Sequence, residues 1–350
     1  MTATPDENAP LRVAVLGAGS WGTTFAKVLA DCAADRGDDG TQVTLWARRP
    51  EVAQEITEQH RNSQYLPEIE LPSLLTATSD LHEAVHRAQI VVLAVPAQKV
   101  RETLLEARRS LDPAVVVVSL VKGLERGTDA RMSELCAEVL DLPRERFAVV
   151  SGPNLALEIA REEPTATVIA SAHEPTAARL VSRTSPRYFR PYTNTDVAGV
   201  EIGGIVKNVI ALAVGICDGQ GLGDNSKASV ITRGLTETTR LAVRLGATAE
   251  TLSGLAGLGD LVATCASPLS RNRSAGRLLG QGLTTDEVSD QMSQTAEGIK
   301  SVSAVVDLAR RVGVEMPISE AVNAVVNGQL DVRSIAGLLL ARDLKPEGPQ

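Results

Sequence analysis

The first half of the chain alternates short, continuously apolar runs with helical patterns. The runs consist mainly of Val, Ile, Leu and Ala and lack the polar–apolar alternation of a strand with one solvent-facing side. Because strands covered on both faces are apolar throughout, the pattern predicts a doubly wound α/β fold around a parallel sheet. Seven strands are predicted, at 11–17, 42–47, 89–96, 114–120, 147–152, 165–170 and 187–193.

After about residue 196 the pattern changes to long helical segments separated by glycine-rich turns, with no further strand-like run. We therefore predict an α/β domain over 11–195 and an all-helical domain over 196–343, with a cleft between them. Residues 1–10 and 344–350 are expected to be flexible tails. No apolar run looks long enough to span a membrane.

A glycine motif follows the first predicted strand. Gly17, Gly19 and Gly22 have G-x-G-x-x-G spacing and open a helical pattern in "VAVLGAGSWGTTFAKVLA". In such motifs the first glycine makes a tight turn, the second lets the backbone approach a pyrophosphate, and the third lets the helix pack against the strand. The motif predicts a Rossmann-type domain that binds a dinucleotide, and therefore hydride transfer.

The end of the second predicted strand bears on which dinucleotide binds. NAD-selective sites usually have Asp or Glu there, whereas this chain has Arg48 and Arg49. Since guanidinium groups suit a ribose 2′-phosphate, NADP(H) is expected in preference to NAD(H). The alternative is two solvated arginines in a loop.

Two isolated charges stand out in the helical half. Lys207 is the only charged side chain in the apolar segment from Ile202 to Cys217, and Asp260 lies in the glycine-rich stretch "SGLAGLGDLVATC". Because a buried charge needs a partner, we predict that they pair, either in a catalytic site or as a structural ion pair. Gly203 and Gly204 share the helix face of Lys207 and are expected to leave room for a ligand.

Polar residues also follow two of the predicted strands. Lys122 comes just after the fourth long strand, and Ser151 and Gly152 end the next one. Open parallel sheets bind ligands at this edge, although each segment alone is equally compatible with a simple βα turn. Asn154 is expected to cap the helix that follows.

A basic helix start is the last candidate. Ser270 is a plausible N-cap, which places Arg271, Asn272 and Arg273 in the first helical turn. Cations are unfavourable at a helix N-terminus unless an anion binds there, so the pattern predicts a phosphate or carboxylate site. A solvated basic turn is the alternative.

Net charge, cysteine spacing and the composition of the N-terminus argue against several classes of function. The net charge of −8 argues against nucleic acid as a main partner. The four cysteines are far apart in sequence and form no C-x-x-C pair, which favours buried free thiols in a reducing cytosol over a zinc site or a catalytic thiol. The polar, acidic N-terminus does not match a signal peptide, so a cytoplasmic location is expected.

Several of these segments together resemble the NAD(P)-dependent glycerol-3-phosphate dehydrogenases of the bacterial biosynthetic type. The resemblance extends from about Leu11 to Arg342 and is carried, in order, by "GAGSWGT", "VKGLE", "SGP", "GGIVKNVIA", "AGLGDL", "SRNR" and "EGIKS". It implies NAD(P)H-linked reduction of dihydroxyacetone phosphate to sn-glycerol 3-phosphate, the backbone for phospholipid synthesis, by a homodimer.

The resemblance also implies residue roles. Lys207 would be the general acid/base, and Lys122 and Arg271 would contact both ligands. The other substrate-lining positions would be Ser151, Gly152, Asp260, Ser270 and Asn272. The cofactor-facing positions, besides the glycine motif and the arginine pair, would be Ser20, Trp21, Ala156 and Glu297.

The chain departs from the family pattern at three places, one of which is Arg48 and Arg49 in place of a more variable pair. Asn154 and Leu155 stand where many members have Thr or Ser followed by Phe, and Ala97 stands where serine is common. These differences leave the cofactor preference and the finer substrate contacts open.

Two other functions compete with this interpretation. A β-hydroxyacid or 6-phosphogluconate-type dehydrogenase also combines a Rossmann domain, a helical domain and a helix lysine, but acts on a carboxylate. A non-catalytic NADP(H)-sensing protein would need the glycine motif, but not Lys207, Asp260 and Arg271 together.

Overall fold

The computed structural model describes residues 11–292 and 296–335, so the predicted tails and the end of the predicted helical domain lie outside the described residues. Within these ranges the chain forms eight strands and fifteen α-helices. The strands are β1 (Arg12–Leu16), β2 (Gln42–Trp46), β3 (Leu75–Thr78), β4 (Ile90–Leu93), β5 (Val116–Ser119), β6 (Phe147–Ser151), β7 (Thr165–Ala170) and β8 (Phe189–Asn194).

The helices lie between the strands and then continue alone. They are α1 (Ser20–Asp35), α2 (Pro50–Gln59), α3 (Leu81–Val85), α4 (Val100–Ala107), α5 (Met132–Leu140), α6 (Ala156–Ala160), α7 (Glu174–Arg183), α8 (Val197–Gly219), α9 (Asp224–Arg244), α10 (Ala249–Ser253), α11 (Asp260–Ala266), α12 (Arg271–Gly280), α13 (Thr285–Gln291), α14 (Glu297–Arg311) and α15 (Pro317–Val326).

All eight strands join one sheet in the order β3-β2-β1-β4-β5-β6-β7-β8. The strands from β3 to β6 are parallel to one another, as the doubly wound pattern predicts. The prediction is wrong for β7, which pairs antiparallel with β6. Because β8 pairs parallel with β7, it also runs opposite to β6. The connection from β6 to β7 contains only the five-residue helix α6, which packs on α1 and does not cross the sheet. The chain therefore enters β7 at the edge where β6 ends, and the two strands run in opposite directions.

The strand β3 was not predicted. Its sequence "LTAT" is short, and only Leu75 is fully covered, because β3 is the edge strand of the sheet. Thr57 on α2 lies against this open edge: its hydroxyl donates to the Ala77 carbonyl at 3.0 Å and accepts from the Ala77 N–H at 2.9 Å. These bonds satisfy backbone groups that would otherwise be available to pair with another strand.

After Asn194 the described part of the chain contains helices and turns but no strand, in agreement with the pattern. The change falls where the domain boundary was predicted, and the division into two domains stays a prediction. The 23-residue α8 is the central helix, and α12 crosses it closely. A Cβ atom on Gly215 would lie 2.1 Å from the Arg273 carbonyl oxygen, so glycine is needed for this approach.

By length and composition α8 would suffice to cross a membrane, contrary to the expectation from the sequence. Every residue of its most apolar 18-residue window is nevertheless buried inside the protein. Its neighbours are other helices and the sheet, and its apolar residues belong to the main core of the helical part. The apolarity of α8 is therefore explained by its position as a core helix.

Candidate active site

Lys207 and Asp260 form a buried ion pair, as their isolation in two apolar segments predicts. The distance from Lys207 Nζ to Asp260 Oδ1 is 2.7 Å, and the residues are 8% and 1% exposed. Asp260 begins α11 directly after a π-helical turn over 255–259. Such turns are uncommon and occur frequently at functional sites.

The glycines beside Lys207 serve a different purpose from the one expected. A Cβ atom on Gly203 would lie 2.7 Å from the Ala256 carbonyl oxygen in the π-helical turn, and one on Gly204 would lie 2.6 Å from Ser151 Oγ. The expectation that these glycines leave room for a ligand is therefore wrong. They let the turn and the end of β6 pack directly against α8.

Lys122 supplies a second cation to the same carboxylate. Its Nζ lies 2.5 Å from Asp260 Oδ2 and donates to the Gly152 carbonyl oxygen at 3.1 Å. Ser151 Oγ donates to the same Oδ2 at 3.4 Å. The structure thus brings together polar residues from the ends of β5 and β6 with Lys207 and Asp260 from the helical part. We call Lys122, Asp260 and Lys207 the charge cluster.

Thr264 also belongs to this site, although the sequence interpretation did not single it out. Lys207 Nζ donates to Thr264 Oγ1 at 2.6 Å, and Thr264 lies one helical turn after Asp260 on α11. The four-residue spacing is a signal that was present in the sequence. An ammonium has three N–H donors, and the contacts among the described residues use two on Lys207 and two on Lys122.

The charge cluster has an excess of one positive charge when both lysines are protonated. Burial lowers the pKa of Lys122 to about 8, although the Asp260 charge opposes this shift and the Lys207 ammonium adds to it. Burial raises the pKa of Asp260, but the two lysines outweigh it and hold this pKa below its ordinary value. Two ammonium groups that share one ionised carboxylate keep a net positive charge, which is suited to stabilise negative charge on a ligand oxygen.

The start of α12 was correctly predicted. Ser270 is its N-cap and accepts a hydrogen bond from the Arg273 N–H at 3.2 Å, which places Arg271 first in the helix, where it is exposed. Arg273 is held by the protein, since its Nε donates to Asp218 Oδ2 at 2.7 Å. Arg271, exposed as the first residue of α12, is placed to meet an anion at this helix start.

Asn272 links three helices. Its Nδ2 donates to Asn208 Oδ1 on α8 at 2.9 Å, and its Oδ1 accepts from the Gly298 N–H on α14 at 2.8 Å. Asn208, another residue that the sequence interpretation missed, donates in turn to the Lys122 carbonyl oxygen at 3.3 Å. Asn272 therefore positions the start of α12 beside the charge cluster, and its side chain has one N–H left for a ligand.

The glycine motif has the predicted geometry. Gly17 has φ +124°, and a Cβ atom there would lie 2.7 Å from the Ala94 carbonyl oxygen; one on Gly22 would lie 2.0 Å from the Gly17 carbonyl oxygen. Around Gly19 no other described residue comes within 4 Å of a Cβ position. The tight turn, the close helix packing and the open backbone thus fall on the three glycines as expected.

The two arginines after β2 are both exposed. The Gly17 N–H donates to the Trp46 carbonyl oxygen at 3.1 Å, which sets the glycine motif beside the end of β2 and its arginines. Arg49 is the N-cap residue of α2 and donates to Gln64. Arg48 is consequently the better candidate for a 2′-phosphate.

The other predicted cofactor residues begin helices at the same edge. Ser20 starts α1 and donates to the Tyr65 carbonyl oxygen at 3.3 Å, and the neighbouring Trp21 has a buried Nε1 with no acceptor among the described residues. Ala156 starts α6. Glu297 starts α14 and is half-buried, and burial raises its pKa, with Lys300 and Arg271 opposing the shift.

Asn154 does not cap α6, which corrects the prediction. The N-cap is Leu155, without a side-chain hydrogen bond, because the chain turns into the helix one residue later than expected. Both polar atoms of the Asn154 side chain are buried and make no hydrogen bond with a described residue. The residues described also contain no group of three or more His, Cys, Asp or Glu placed to hold a metal ion.

Comparisons with known proteins agree with this fold. Residues 12–177 match the model of the NAD-dependent glycerol-3-phosphate dehydrogenase N-terminus, and residues 196–337 match that of the C-terminus. A relative from Thermobifida fusca, named glycerol-3-phosphate dehydrogenase (NAD(P)+), is 56% identical over 96% of this chain and 98% of its own length. The crystal structure of glycerol-3-phosphate dehydrogenase from Coxiella burnetii covers 95% of this chain and 99% of its own, with 37% identity and TM-score 0.88.

Proposed function

This chain belongs to the NAD-dependent glycerol-3-phosphate dehydrogenase family, and from that premise we propose that the charge cluster carries the chemistry. The protein is an NAD(P)-dependent oxidoreductase that interconverts dihydroxyacetone phosphate and sn-glycerol 3-phosphate. One observation supports the residue assignment above others. Two ammonium groups, the buried one of Lys207 and the partly buried one of Lys122, share one carboxylate at the sheet edge that also carries the glycine motif.

Lys207 is the general acid in the reducing direction. The bound dinucleotide supplies the hydride to the ketone carbon. As negative charge develops on the carbonyl oxygen, Lys207 donates a proton to it, and in the reverse direction Lys207 accepts that proton. Asp260 and Thr264 hold the ammonium group through two of its hydrogens and leave the third for the substrate oxygen.

Lys122 and the start of α12 bind the negatively charged groups of the substrate, which are the developing oxyanion and the phosphate. The Lys122 ammonium has one N–H beyond those given to Asp260 and Gly152, and it stabilises the developing negative charge. The phosphate group meets Arg271 and the backbone N–H groups at the first turn of α12, whose dipole favours an anion. Asn272 and Ser270 hold that turn in place.

The cofactor edge fits a dinucleotide. The open backbone at Gly19 and the indole N–H of Trp21, which has no acceptor among the described residues, offer hydrogen-bond donors to a pyrophosphate, and Ser20, Ala156 and Glu297 flank it. We propose NADP(H) as the preferred cofactor and NAD(H) as the weaker one. Arg48 supports this preference, with a smaller contribution from Arg49, since a guanidinium pairs well with a 2′-phosphate.

One assay tests this function. The purified protein should oxidise NADPH when dihydroxyacetone phosphate is added, with NADH giving a lower kcat/KM. A β-hydroxyacid and 6-phosphogluconate, each offered with the oxidised cofactor, serve as substrate controls. If neither reduced cofactor is oxidised with dihydroxyacetone phosphate, the proposal fails.

Further properties, some implied by the family and some expected from the sequence, remain predictions for this chain. They are a homodimer, a cytoplasmic location, no insertion into membranes, no binding of nucleic acid, and supply of the glycerophospholipid backbone. Light scattering at several protein concentrations tests the dimer directly, since a monomeric mass throughout would exclude it.

A further inference from the structure

Glu201 is a buried carboxylate on α8 that the proposed chemistry does not use, and it is 4% exposed. Three hydrogen bonds join it to the start of α5. Its Oε1 accepts from the Ser133 N–H at 2.8 Å, and its Oε2 accepts from the Ser133 hydroxyl at 2.6 Å and from Arg131 Nη1 at 3.1 Å. Because a buried charge is costly unless it is well paired, the link between α8 and α5 needs an explanation.

Helix capping is one part of that explanation. The N-cap residue of α5 is Arg131, and a guanidinium group has no acceptor for the free N–H groups of the first helical turn. Glu201 accepts from one of these groups in place of a local cap. A serine or asparagine at the N-cap would do the same without burying a carboxylate. Capping alone therefore does not explain why the acceptor is a glutamate on α8.

The link joins the two segments that carry the lysines of the charge cluster. The loop that contains Lys122 leads from β5 directly into α5. On α8, Glu201, Gly204 and Lys207 are three residues apart, so successive members are neighbours on the helix surface, within about 9 Å along its axis. Gly204 packs against the end of β6, where a Cβ atom would lie 2.6 Å from Ser151 Oγ. Glu201 and Gly204 therefore hold this part of α8 against the sheet and its flanking helix at two points.

The helix α8 passes from one hydrophobic core to another at this position. Val200 packs in the core on one face of the sheet, whereas Ile202 belongs to the main core of the helical part. Glu201 lies between them, so a change in its contacts would alter how the helical part is placed on the sheet. The charge cluster takes Lys122 from the sheet edge and its other two members from the helical part, so such a change would separate them.

We propose that Glu201 is a positioning residue for the reaction. Its bonds to the start of α5 hold α8 so that the ammonium groups of Lys207 and Lys122 meet the same substrate oxygen. Proton transfer and charge stabilisation depend on such placement, since a displacement of about 1 Å can lower a rate by about 100-fold. This inference rests on the proposed roles of the charge cluster.

Glu237 provides a matched control, because it makes the same kind of contact within the helical part. Its carboxyl group on α9 is 1% exposed and accepts from the Ile318 and Ser319 N–H groups, each at 3.0 Å, and from the Ser319 hydroxyl at 2.6 Å. These groups lie at the start of α15. Since α9 and α15 both belong to the helical part, Glu237→Ala should lower stability without changing the spacing across the charge cluster. Thermal unfolding of the full-length proteins measures the stability lost in Glu201→Ala and in Glu237→Ala.

Turnover is measured per NADPH-binding site, which calorimetry counts, so that an unfolded fraction does not lower it. We expect Glu201→Ala to lower kcat about 10-fold or more, with the Kd of NADPH unchanged because the glycine motif is not touched. The KM for dihydroxyacetone phosphate should change less than kcat, because the start of α12 stays packed on α8. Glu201→Gln should restore most of kcat, since its amide oxygen can still accept from the Ser133 N–H. Glu237→Ala should keep the wild-type kcat.

Equal kcat values in Glu201→Ala and Glu237→Ala would overturn the proposal, and so would a Glu201→Gln protein as impaired as Glu201→Ala. If Glu201→Ala does not fold, Ser133→Ala and Ser319→Ala carry the same comparison. Each removes a hydroxyl that donates to its glutamate at 2.6 Å. Of these two, only Ser133→Ala should lower kcat, and equal kcat values in both would refute the positioning role.

The positioning role and the proposed chemistry fail in different ways. If Lys207→Ala loses turnover but Glu201→Ala retains it, only the role of Glu201 is refuted. If Lys207→Ala retains normal turnover, the assignment of the charge cluster fails, and the role of Glu201 fails with it.

Discussion

Lys207 and Lys122 donate to opposite oxygens of the same buried Asp260 carboxylate, at 2.7 Å and 2.5 Å. Lys207 comes from the central helix α8, whereas Lys122 comes from the loop after β5. The carboxylate therefore joins the helical part to the sheet at the point where the chemistry is proposed. A site built on a helix and a strand end holds its groups more precisely than one built on a long loop.

Replacing Lys207 with Ala should remove the proton donor while preserving the cofactor edge. We expect kcat to fall by roughly 100-fold or more, the usual scale for an acid/base group, with the Kd of NADPH unchanged. Steady-state kinetics and calorimetry give the two values. Lys99→Ala is the matched control, because Lys99 is exposed and pairs with Glu102 instead of Asp260. Near-normal turnover in Lys207→Ala would exclude the acid/base role.

The pKa of Lys122, about 8, predicts a pH dependence of substrate binding. Because this pKa is lowered, Lys122 is a cation below about pH 8 and loses its charge as the pH rises through that value. The KM for dihydroxyacetone phosphate should therefore increase above pH 8. In Lys122→Gln the KM should be higher throughout and should lack this rise. An identical pH profile in both proteins would show that Lys122 does not control it.

Arg271→Ala should affect the substrate more than the chemical step. Since hydrogen bonds to charged groups are among the stronger ones, we expect the KM for dihydroxyacetone phosphate to rise about 10-fold or more, with a smaller change in kcat. Arg277→Ala is the control, because Arg277 is exposed on the last turn of the same helix. Equal effects of the two substitutions would argue against a phosphate site at the start of α12.

Arg48→Ala tests the cofactor preference. Without the guanidinium group the 2′-phosphate loses a charge-assisted partner, so the KM for NADPH should rise by about 10-fold while the KM for NADH stays constant. Arg49→Ala should have a smaller effect, because Arg49 already donates to Gln64. A parallel increase for both cofactors would mean that Arg48 does not read the 2′-phosphate.

The charges and glycines of this site could be predicted from the sequence because each was anomalous in its surroundings. Lys207 and Asp260 were isolated charges in apolar segments, and the glycine motif has a fixed spacing with a known physical cause. Asn208 and Asn154 could not be predicted in this way, and for Thr264 its four-residue spacing from Asp260 was the one signal in the sequence. Neutral polar residues are common in helices and turns, and only their three-dimensional partners distinguish them.

The direction of β7 was beyond the sequence pattern for a related reason. A strand buried on both faces is apolar whether it runs parallel or antiparallel to its neighbour, so "TATVIA" does not encode its direction. The direction of β7 depends on the short length of α6, which does not cross the sheet. Element boundaries, and therefore helix lengths, are the least certain part of a pattern-based prediction. The close packing of Gly203 against the π-helical turn was missed, because a small residue indicates that something packs closely but not which segment does.

The buried Glu237 predicts how stability depends on pH. On α9, its carboxyl group accepts hydrogen bonds from the Ile318 and Ser319 N–H groups, each at 3.0 Å, at the start of α15. Burial raises its pKa to about 7, although these hydrogen bonds oppose the shift. The folded protein therefore retains a proton that the unfolded chain loses near its ordinary pKa of 4.5.

Because the folded state binds more protons in this window, the contribution of Glu237 to stability is complete below about pH 4.5 and decreases as the pH rises to about 7. The shift corresponds to roughly 3 kcal/mol in the free energy of unfolding. Urea unfolding at pH 5 and at pH 8 measures it, with Glu237→Gln as the comparison, since the amide does not titrate. The difference between the two pH values should be smaller in Glu237→Gln than in the wild type. If both proteins lose equal stability between pH 5 and pH 8, other groups account for the loss and Glu237 is ionised well below pH 7.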